Sequence, residues 1–271
     1  SHYYTPHKSL TFKNERPADM RIVAIITCRN ESLYIERCLQ HLYNQGIEFC
    51  IIDNDSSDNT VEKAEAFRGK GLITVQTQPY EGFFNLVKQL EFKENLAKEI
   101  EADWFIHQDT DEIREAPEPY QTLSEAIIDV DQQGYNAINF DEFVFLPTSE
   151  DLSYENVNYV QKMKDYYFFE PMKLRQIKAW KNTRDSIDLT SSGGHRIKIN
   201  ERKVFPENFI LRHYIVLSKR HAIEKYYHGR TFSTYEVREK RWHGSRATFT
   251  PEKLNFPSRS LLKNLDRDGW D

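Results

Sequence analysis

The stretch Trp104-Phe105-Ile106-His107-Gln108-Asp109-Thr110-Asp111-Glu112 restricts the fold of this chain more than any other. A short apolar run of that length is a buried strand. It breaks off into three carboxylates, Asp109, Asp111 and Glu112, which repel one another unless a cation lies among them. If the chain stays extended past Gln108, Asp109 and Asp111 point to the same side, because strand side chains alternate with period two. Two hard oxygen donors at one strand end suit Mg²⁺ or Mn²⁺, which in turn holds a nucleotide diphosphate. An acid pair in a loop is also commonly a solvated turn, so the surrounding pattern decides.

That pattern is an alternation. Residues 21–27 form a continuous apolar, β-branched run, typical of a strand covered on both faces. Cys28-Arg29-Asn30-Glu31-Ser32 is a polar turn; Ile35, Cys38, Leu39 and Leu42 then repeat at helical spacing up to Gly46, a C-cap glycine. A second buried strand, 49–52, runs into Asp53-Asn54-Asp55-Ser56-Ser57-Asp58-Asn59-Thr60, where Ser57, Asp58 and Asn59 are N-cap candidates for a helix over 61–67. A third strand over 72–75, a long amphipathic helix over 83–100 and a fourth strand over 104–107 follow. Strands alternating with helices at this spacing predict an α/β fold with a mostly parallel sheet flanked by helices. Ligands of such sheets sit at the carboxyl ends of the strands. Residues 27–31, 53–58 and 109–112 all fall on that rim.

Further on, the sequence predicts a helix over 119–132, a strand over 137–146, an irregular loop over 148–164 and a strand over 171–180. A polar, glycine-containing segment covers 188–195, with short strands over 196–200 and 208–214 and a helix over 218–228. Residues 1–19 show no period and contain Pro6 and Pro17, and are expected to form an arm.

With 271 residues, 39 % of them hydrophobic and 13 % aromatic, the chain holds enough apolar surface for a folded core. No apolar run approaches the ~20 residues of a membrane span, and no signal peptide is visible. Cys28, Cys38 and Cys50 fall in core elements without metal-type spacing, which predicts reduced thiols and a cytoplasmic setting. The net charge of −5 hides an asymmetry: residues 212–246 carry nine Lys/Arg against three Asp/Glu, with four of the nine histidines. Such a basic C-terminal region fits an anionic partner, either phosphate groups or an acidic membrane surface, and equally a solvated helical face.

Thr27-Cys28-Arg29-Asn30-Glu31, then Ile51 through Thr60, then Asp109-Thr110-Asp111-Glu112 resemble, in order and spacing, the family-2 glycosyltransferases of the nucleotide-diphospho-sugar transferase superfamily. The resemblance covers 21–114. Looser likenesses at 143–147, 188–195 and 211–214 extend it through most of the chain. It implies a GT-A-type, Rossmann-like sandwich over 20–215, with a nucleotide-binding half (20–112), an acceptor half (113–215) and a C-terminal helical extension (216–271). It further implies a metal-dependent, inverting transfer of sugar from a UDP- or GDP-sugar to a glycan, lipid-linked or small-molecule acceptor, with no nucleic acid involved.

By resemblance, Thr27, Arg29, Glu31 and Asp53 line the nucleoside pocket, Asp109 touches ribose or metal, and Asp111 ligates the metal. His213 matches a late histidine that completes such sites, and a nitrogen donor favours Mn²⁺ over Mg²⁺. Arg212 and Lys219 are diphosphate candidates. Asp188 is the first choice for the carboxylate base, ahead of Glu170, Asp141 and Glu142. Tyr166, Tyr167, Phe169 and Trp180 stack on an acceptor sugar or belong to the core. Asp55 departs from the family, which commonly has Gly there. Two other readings compete. A sugar-phosphate nucleotidyltransferase needs a glycine-rich loop with a basic residue after the first strand, and 28–32 offers only Arg29 and no glycine. A catalytically silent GT-A-like module would bind sugar or nucleotide without turnover.

Overall fold

The computed structural model of the chain describes residues 20–225 and 255–271. The expected arm over 1–19 and most of the basic stretch, from 226 on, lie outside the described residues, as does the end of the helix expected over 218–228. In chain order the strands are β1 (Ile22–Cys28), β2 (Glu48–Asp53), β3 (Leu72–Thr77), β4 (Trp104–Gln108), β5 (Glu112–Glu115), β6 (Ala137–Phe145), β7 (Asp165–Phe169), β8 (Ile177–Lys181), β9 (Phe209–Tyr214) and β10 (Lys263–Asn264). The helices are α1 (Ile35–Asn44), α2 (Thr60–Glu65), α3 (Leu86–Glu99), α4 (Leu123–Gln132), α5 (Tyr159–Lys162), α6 (Lys219–Ile223) and α7 (Leu265–Asp268). The chain divides into two compact units: Ser1–Pro79, Lys88–Asp141 and Glu170–Leu211 in one, Tyr80–Val87, Glu142–Phe169 and Arg212–Asp271 in the other.

The first unit is the α/β sheet that the alternation predicts. Its parallel strands run in the order β3-β2-β1-β4, with Ile25 of β1 opposite Cys50 on one side and His107 on the other. β1 and β2 are buried almost throughout, as continuous apolar strands covered on both faces must be. Past β4 the sheet turns antiparallel through β8 and the first residues of β6. The buried face of α1 is Ile35, Cys38, Leu39 and Leu42, the stripe read from the sequence. Gly46, one residue beyond its C-cap, has φ +78°. α4 is opened by Thr122, whose hydroxyl takes the Glu125 N–H at 3.1 Å.

Several elements differ from expectation, among them β7 and the short α5, which lie beside and within the irregular loop expected over 148–164. The strand predicted over 171–180 is confined to β8: Pro171 lacks an N–H for a ladder, and Leu174, with φ +53°, lies in a turn before it. Residues 196–200 make only isolated bridges, Arg196 to Ile177 and Lys198 to Asp188. β5 was not foreseen because Glu-Ile-Arg-Glu reads as surface; it is buried because Glu112 and Arg114 neutralise each other.

The second unit is built on aromatic packing. β6 and β7 pair antiparallel from Glu142 opposite Phe169 to Phe145 opposite Tyr166, and β10 adds to the free edge of β7. Phe143 and Phe145 lie 4.5 and 6.2 Å from the Trp270 ring, and Phe145 stacks on Tyr214 at 4.8 Å. The Tyr166 hydroxyl donates to the Gly269 carbonyl at 2.5 Å, and Arg259 pairs with Asp151 and Asp165. Among the described residues no helix is long and apolar enough to cross a membrane.

Candidate active site

The carboxyl ends of β1, β2 and β4 lie side by side, and the predicted rim is there. Register fixes this. Ile26 of β1 is opposite Gln108, so Thr27 and Asp109 each come one step past that pair, while Cys28 is opposite Asp53. Thr27 Oγ1 is buried with no hydrogen-bond partner, and so is Gln78 Oε1, just past the end of β3. The sequence did not point to Gln78, because the apolar run of the third strand ends at Val75 while β3 continues to Thr77. The backbone of Gln78 is held by the β2 loop: Gln78 N–H donates to Asp53 O, and Asn54 Nδ2 to Gln78 O, each at 2.8 Å.

Asp53 is nearly buried, and its carboxylate closes the turn by accepting from Ser56 N–H at 3.0 Å and Ser56 Oγ at 2.6 Å. Arg29 Nη1 donates to the carbonyls of Asn54 and Asp55, at 2.8 and 2.5 Å, and so ties the β1 loop to the β2 loop. Asp55 itself has φ +53°. That is the left-handed region, which Gly enters freely and which Asp is among the few other residues to visit. Glu31 accepts the Tyr34 and Ile35 N–H groups through its carbonyl and opens α1. The N-cap of α2 is Asn59, whose side chain makes no capping bond; Asp58, one residue before it, takes Thr60 N–H at 3.0 Å and Ser32 N–H at 3.4 Å with its carboxylate. Burial raises its pKa, but these hydrogen bonds outweigh that and hold it below the usual range.

The acid turn is not extended. β4 ends at Gln108, and Glu112 N–H donates back to Asp109 O at 3.3 Å, so the period-two argument does not apply to Asp109 and Asp111. The third acid finds its cation within the protein. Glu112 lies 2.9 Å from Arg114, 3.9 Å from Lys178, and also accepts the Asp109 N–H at 3.0 Å. Arg114 is fully buried, donates to Gln108 Oε1 at 2.8 Å, and stacks 4.3 Å over Phe140. Asp109 and Asp111 remain as the two hard donors of the turn. No cluster of three or more His, Cys, Asp or Glu side chains suited to a metal occurs among the described residues. A two-carboxylate set still fits a hard divalent ion that draws its other oxygens from a diphosphate.

Asp188 is half-buried. Its backbone bridges Lys198 in both directions, at 3.0 and 2.9 Å, and Oδ1 accepts Ser191 N–H at 3.0 Å. Burial works against the charge, yet the Ser191 bonds and the Lys198 charge keep the carboxyl below its ordinary pKa. Asp141, bonded by Asn208 at 3.0 Å, is pushed the other way by burial and by the charge of Glu170. Trp180 is buried against Phe105, 5.9 Å away, and Tyr166 is buried as well, so these two belong to the core and not to an acceptor platform. Tyr167 and Phe169 are exposed on β7. Cys28, Cys38 and Cys50 are buried free thiols, and burial lifts Cys50 to about 12.

Arg212 and His213 belong to the second unit. Arg212 lies 5.0 Å over the Trp270 ring and 5.9 Å over Phe145. His213 Nδ1 is 2.8 Å from Glu142 Oε2, the contact by which a carboxylate orients an imidazole for metal binding through its other nitrogen.

Residues 23–85 match the model of glycosyl transferase family 2. An uncharacterized glycosyltransferase of Rickettsia bellii (strain RML369-C) is 34 % identical over 92 residues, 34 % of this chain and 28 % of that protein. The chain therefore spans under a third of that curated relative in the matched region. Among solved structures, S. aureus TarS 1-349 overlays on 77 % of this chain and 62 % of its own, with TM-score 0.43 and 15 % identity. Glucosyl-3-phosphoglycerate synthase from Mycobacterium tuberculosis, solved with Mn²⁺, UDP and glucosyl-3-phosphoglycerate, covers 48 % of this chain and 45 % of its own, with TM-score 0.32 and 17 % identity. The matched segment, residues 23–85, which carries Thr27, Arg29, Glu31 and Asp53, is similar to glycosyl transferase family 2.

Proposed function

We propose that the chain transfers a sugar from a nucleotide-diphosphate donor, a UDP- or GDP-sugar, to an acceptor hydroxyl, with inversion and with a divalent cation. The observation that carries this reading is the convergence of the family 2 segment and the Asp109–Asp111 turn on neighbouring strand ends. Thr27, Arg29, Glu31 and Asp53 are proposed to line the nucleoside pocket, a reading supported by the unpartnered buried Thr27 hydroxyl and by Arg29 tying the β1 and β2 loops together. Asp109 and Asp111 are proposed to hold Mn²⁺ or Mg²⁺, which when bound neutralises charge growing on the leaving diphosphate. His213 is proposed as a nitrogen ligand to a divalent ion and Arg212 as a diphosphate contact. Asp188, ionised at neutral pH, is proposed to take the proton from the acceptor hydroxyl as it attacks the anomeric carbon from the face opposite the nucleotide. Residues 20–215 are proposed as the catalytic region and 216–271 as its extension, with a basic stretch suited to an anionic surface.

Calorimetric titration with UDP and GDP, with and without Mn²⁺, tests this. Binding is expected to need the metal and to be lost in Asp111→Ala. Asp188→Asn is expected to retain nucleotide affinity while losing turnover by about 10²-fold or more. A second reading, the silent binding module, draws on the lack of a larger metal-binding cluster among the described residues. Nucleotide binding that ignores Mn²⁺ would select it.

A further inference from the structure

Lys93 and Glu94 are consecutive residues of α3 that the proposed transfer leaves unused; Glu94 bonds to residues 189–190, and Lys93 to the end of β4, whose His107 lies against Gly194. Glu94 Oε2 accepts three hydrogen bonds: from Leu189 N–H at 2.7 Å, Thr190 N–H at 3.0 Å and Thr190 Oγ1 at 2.9 Å. The next amide, Ser191 N–H, goes to Asp188 itself. Three successive amides are thus taken by two carboxylates, which fixes the turn from which the Asp188 side chain projects. At the other end of the segment, Gly194 has φ +85°, and a β-carbon there would lie 2.8 Å from His107 Nε2. His107 is held from behind by Lys93, whose buried ammonium lies 2.7 Å from Nδ1 and donates to Gln108 O at 3.2 Å. With the ammonium donating to Nδ1, the ring proton sits on Nε2, the edge that presses on Gly194.

Both ends of residues 188–194 are therefore gauged from one helical turn: Glu94 directly at 189–190, and Lys93 through His107 at 194. The same ammonium, through Gln108 O, holds the last residue before the acid turn. We propose that Lys93-Glu94 is a positioning element for the transfer, and that Glu94 in particular sets the Asp188 carboxylate against the donor held at the Asp109–Asp111 turn. This rests on the assignment of Asp188 as the base. Carboxylate bonds to N–H groups are short and strong, and a displaced base loses rate steeply with distance. A loop carboxylate that only satisfied amides would affect folding and leave no preference for one kinetic constant.

The test compares the full-length wild type with Glu94→Ala, Glu94→Gln and Asp188→Asn. UDP release from UDP-glucose and UDP-N-acetylglucosamine is followed with Mn²⁺ and water as acceptor, alongside UDP affinity by calorimetry. Glu94→Ala is expected to lower kcat by about a hundredfold with donor KM and UDP Kd within about twofold, and Glu94→Gln, which keeps an accepting oxygen, to recover most of that loss. With Asp188→Asn inactive, a Glu94→Ala protein that turns over like wild type overturns the inference alone. So does a variant that loses UDP affinity in step with kcat and is not rescued by Gln. An active Asp188→Asn protein, or a wild type that releases no nucleotide diphosphate from these donors or from their GDP counterparts, overturns the base assignment and the inference with it.

Discussion

At the scale of single residues, the first unit is unusual in how much charge it buries beneath its acid turn. Lys93, Arg114, Lys178 and Glu112 are all buried, with only one carboxylate among them. Burial is the largest influence on Lys93 and lowers its pKa from 10.5 to about 8, against the opposing pull of Asp109. The unfolded chain therefore binds more protons than the folded one between pH 8 and 10.5, and stability rises with pH through that window. Urea unfolding at both ends of the window should show this rise in the wild type and its loss in Lys93→Met. The rim acids were legible in the sequence because a buried strand running straight into carboxylates marks the carboxyl edge of a parallel sheet, where ligands sit. Lys93 was less so: it occupies the buried stripe of α3 with Leu90, Leu96 and Ala97, but a lysine there looks like a solvated face until the sheet brings His107 against it. Glu112 was read as a third member of the acid rim. Only the fold of β5 shows that it is paired with Arg114.

At the scale of elements, the parallel strands and their polar exits followed from apolar runs and helical spacing, because β1, β2 and β4 are covered on both faces. The antiparallel additions did not, since β5 and β7 carry charge or exposed aromatics and take their burial from partners distant in sequence. The β2 loop carries a sharper requirement. Asp55 holds φ +53° between Asp53, which closes the turn on Ser56, and the carbonyls that Arg29 clasps. Asp55→Gly should leave both stability and UDP affinity close to wild type. Asp55→Val should cost about 1–2 kcal/mol in chemical denaturation and weaken UDP binding, since a β-branched residue resists the left-handed region. Equal behaviour of the two variants would mean that the loop tolerates another conformation. The contact of His107 with Gly194 constrains in the same way: a β-carbon at 194 would push on the strand that ends at the acid turn.

At the scale of the whole molecule, the described residues form two compact units, each with its own reason to fold: a covered parallel sheet in one, stacked rings on a hairpin in the other. The second unit recruits residues 255–271 through β10, the Arg259 ion pairs and Trp270. Lys225 and Asn255, the described residues on either side of 226–254, therefore both belong to the same unit. A site-specific protease sequence placed between 226 and 254 and then cut should yield two pieces that still elute together in size-exclusion chromatography and separate only in denaturant. Separation in native buffer would show that the strand pairing and ring contacts are too weak to hold the piece. If they do hold, a continuous chain through 226–254 is dispensable for the integrity of this unit, which stays one body on strand pairing and ring contacts alone.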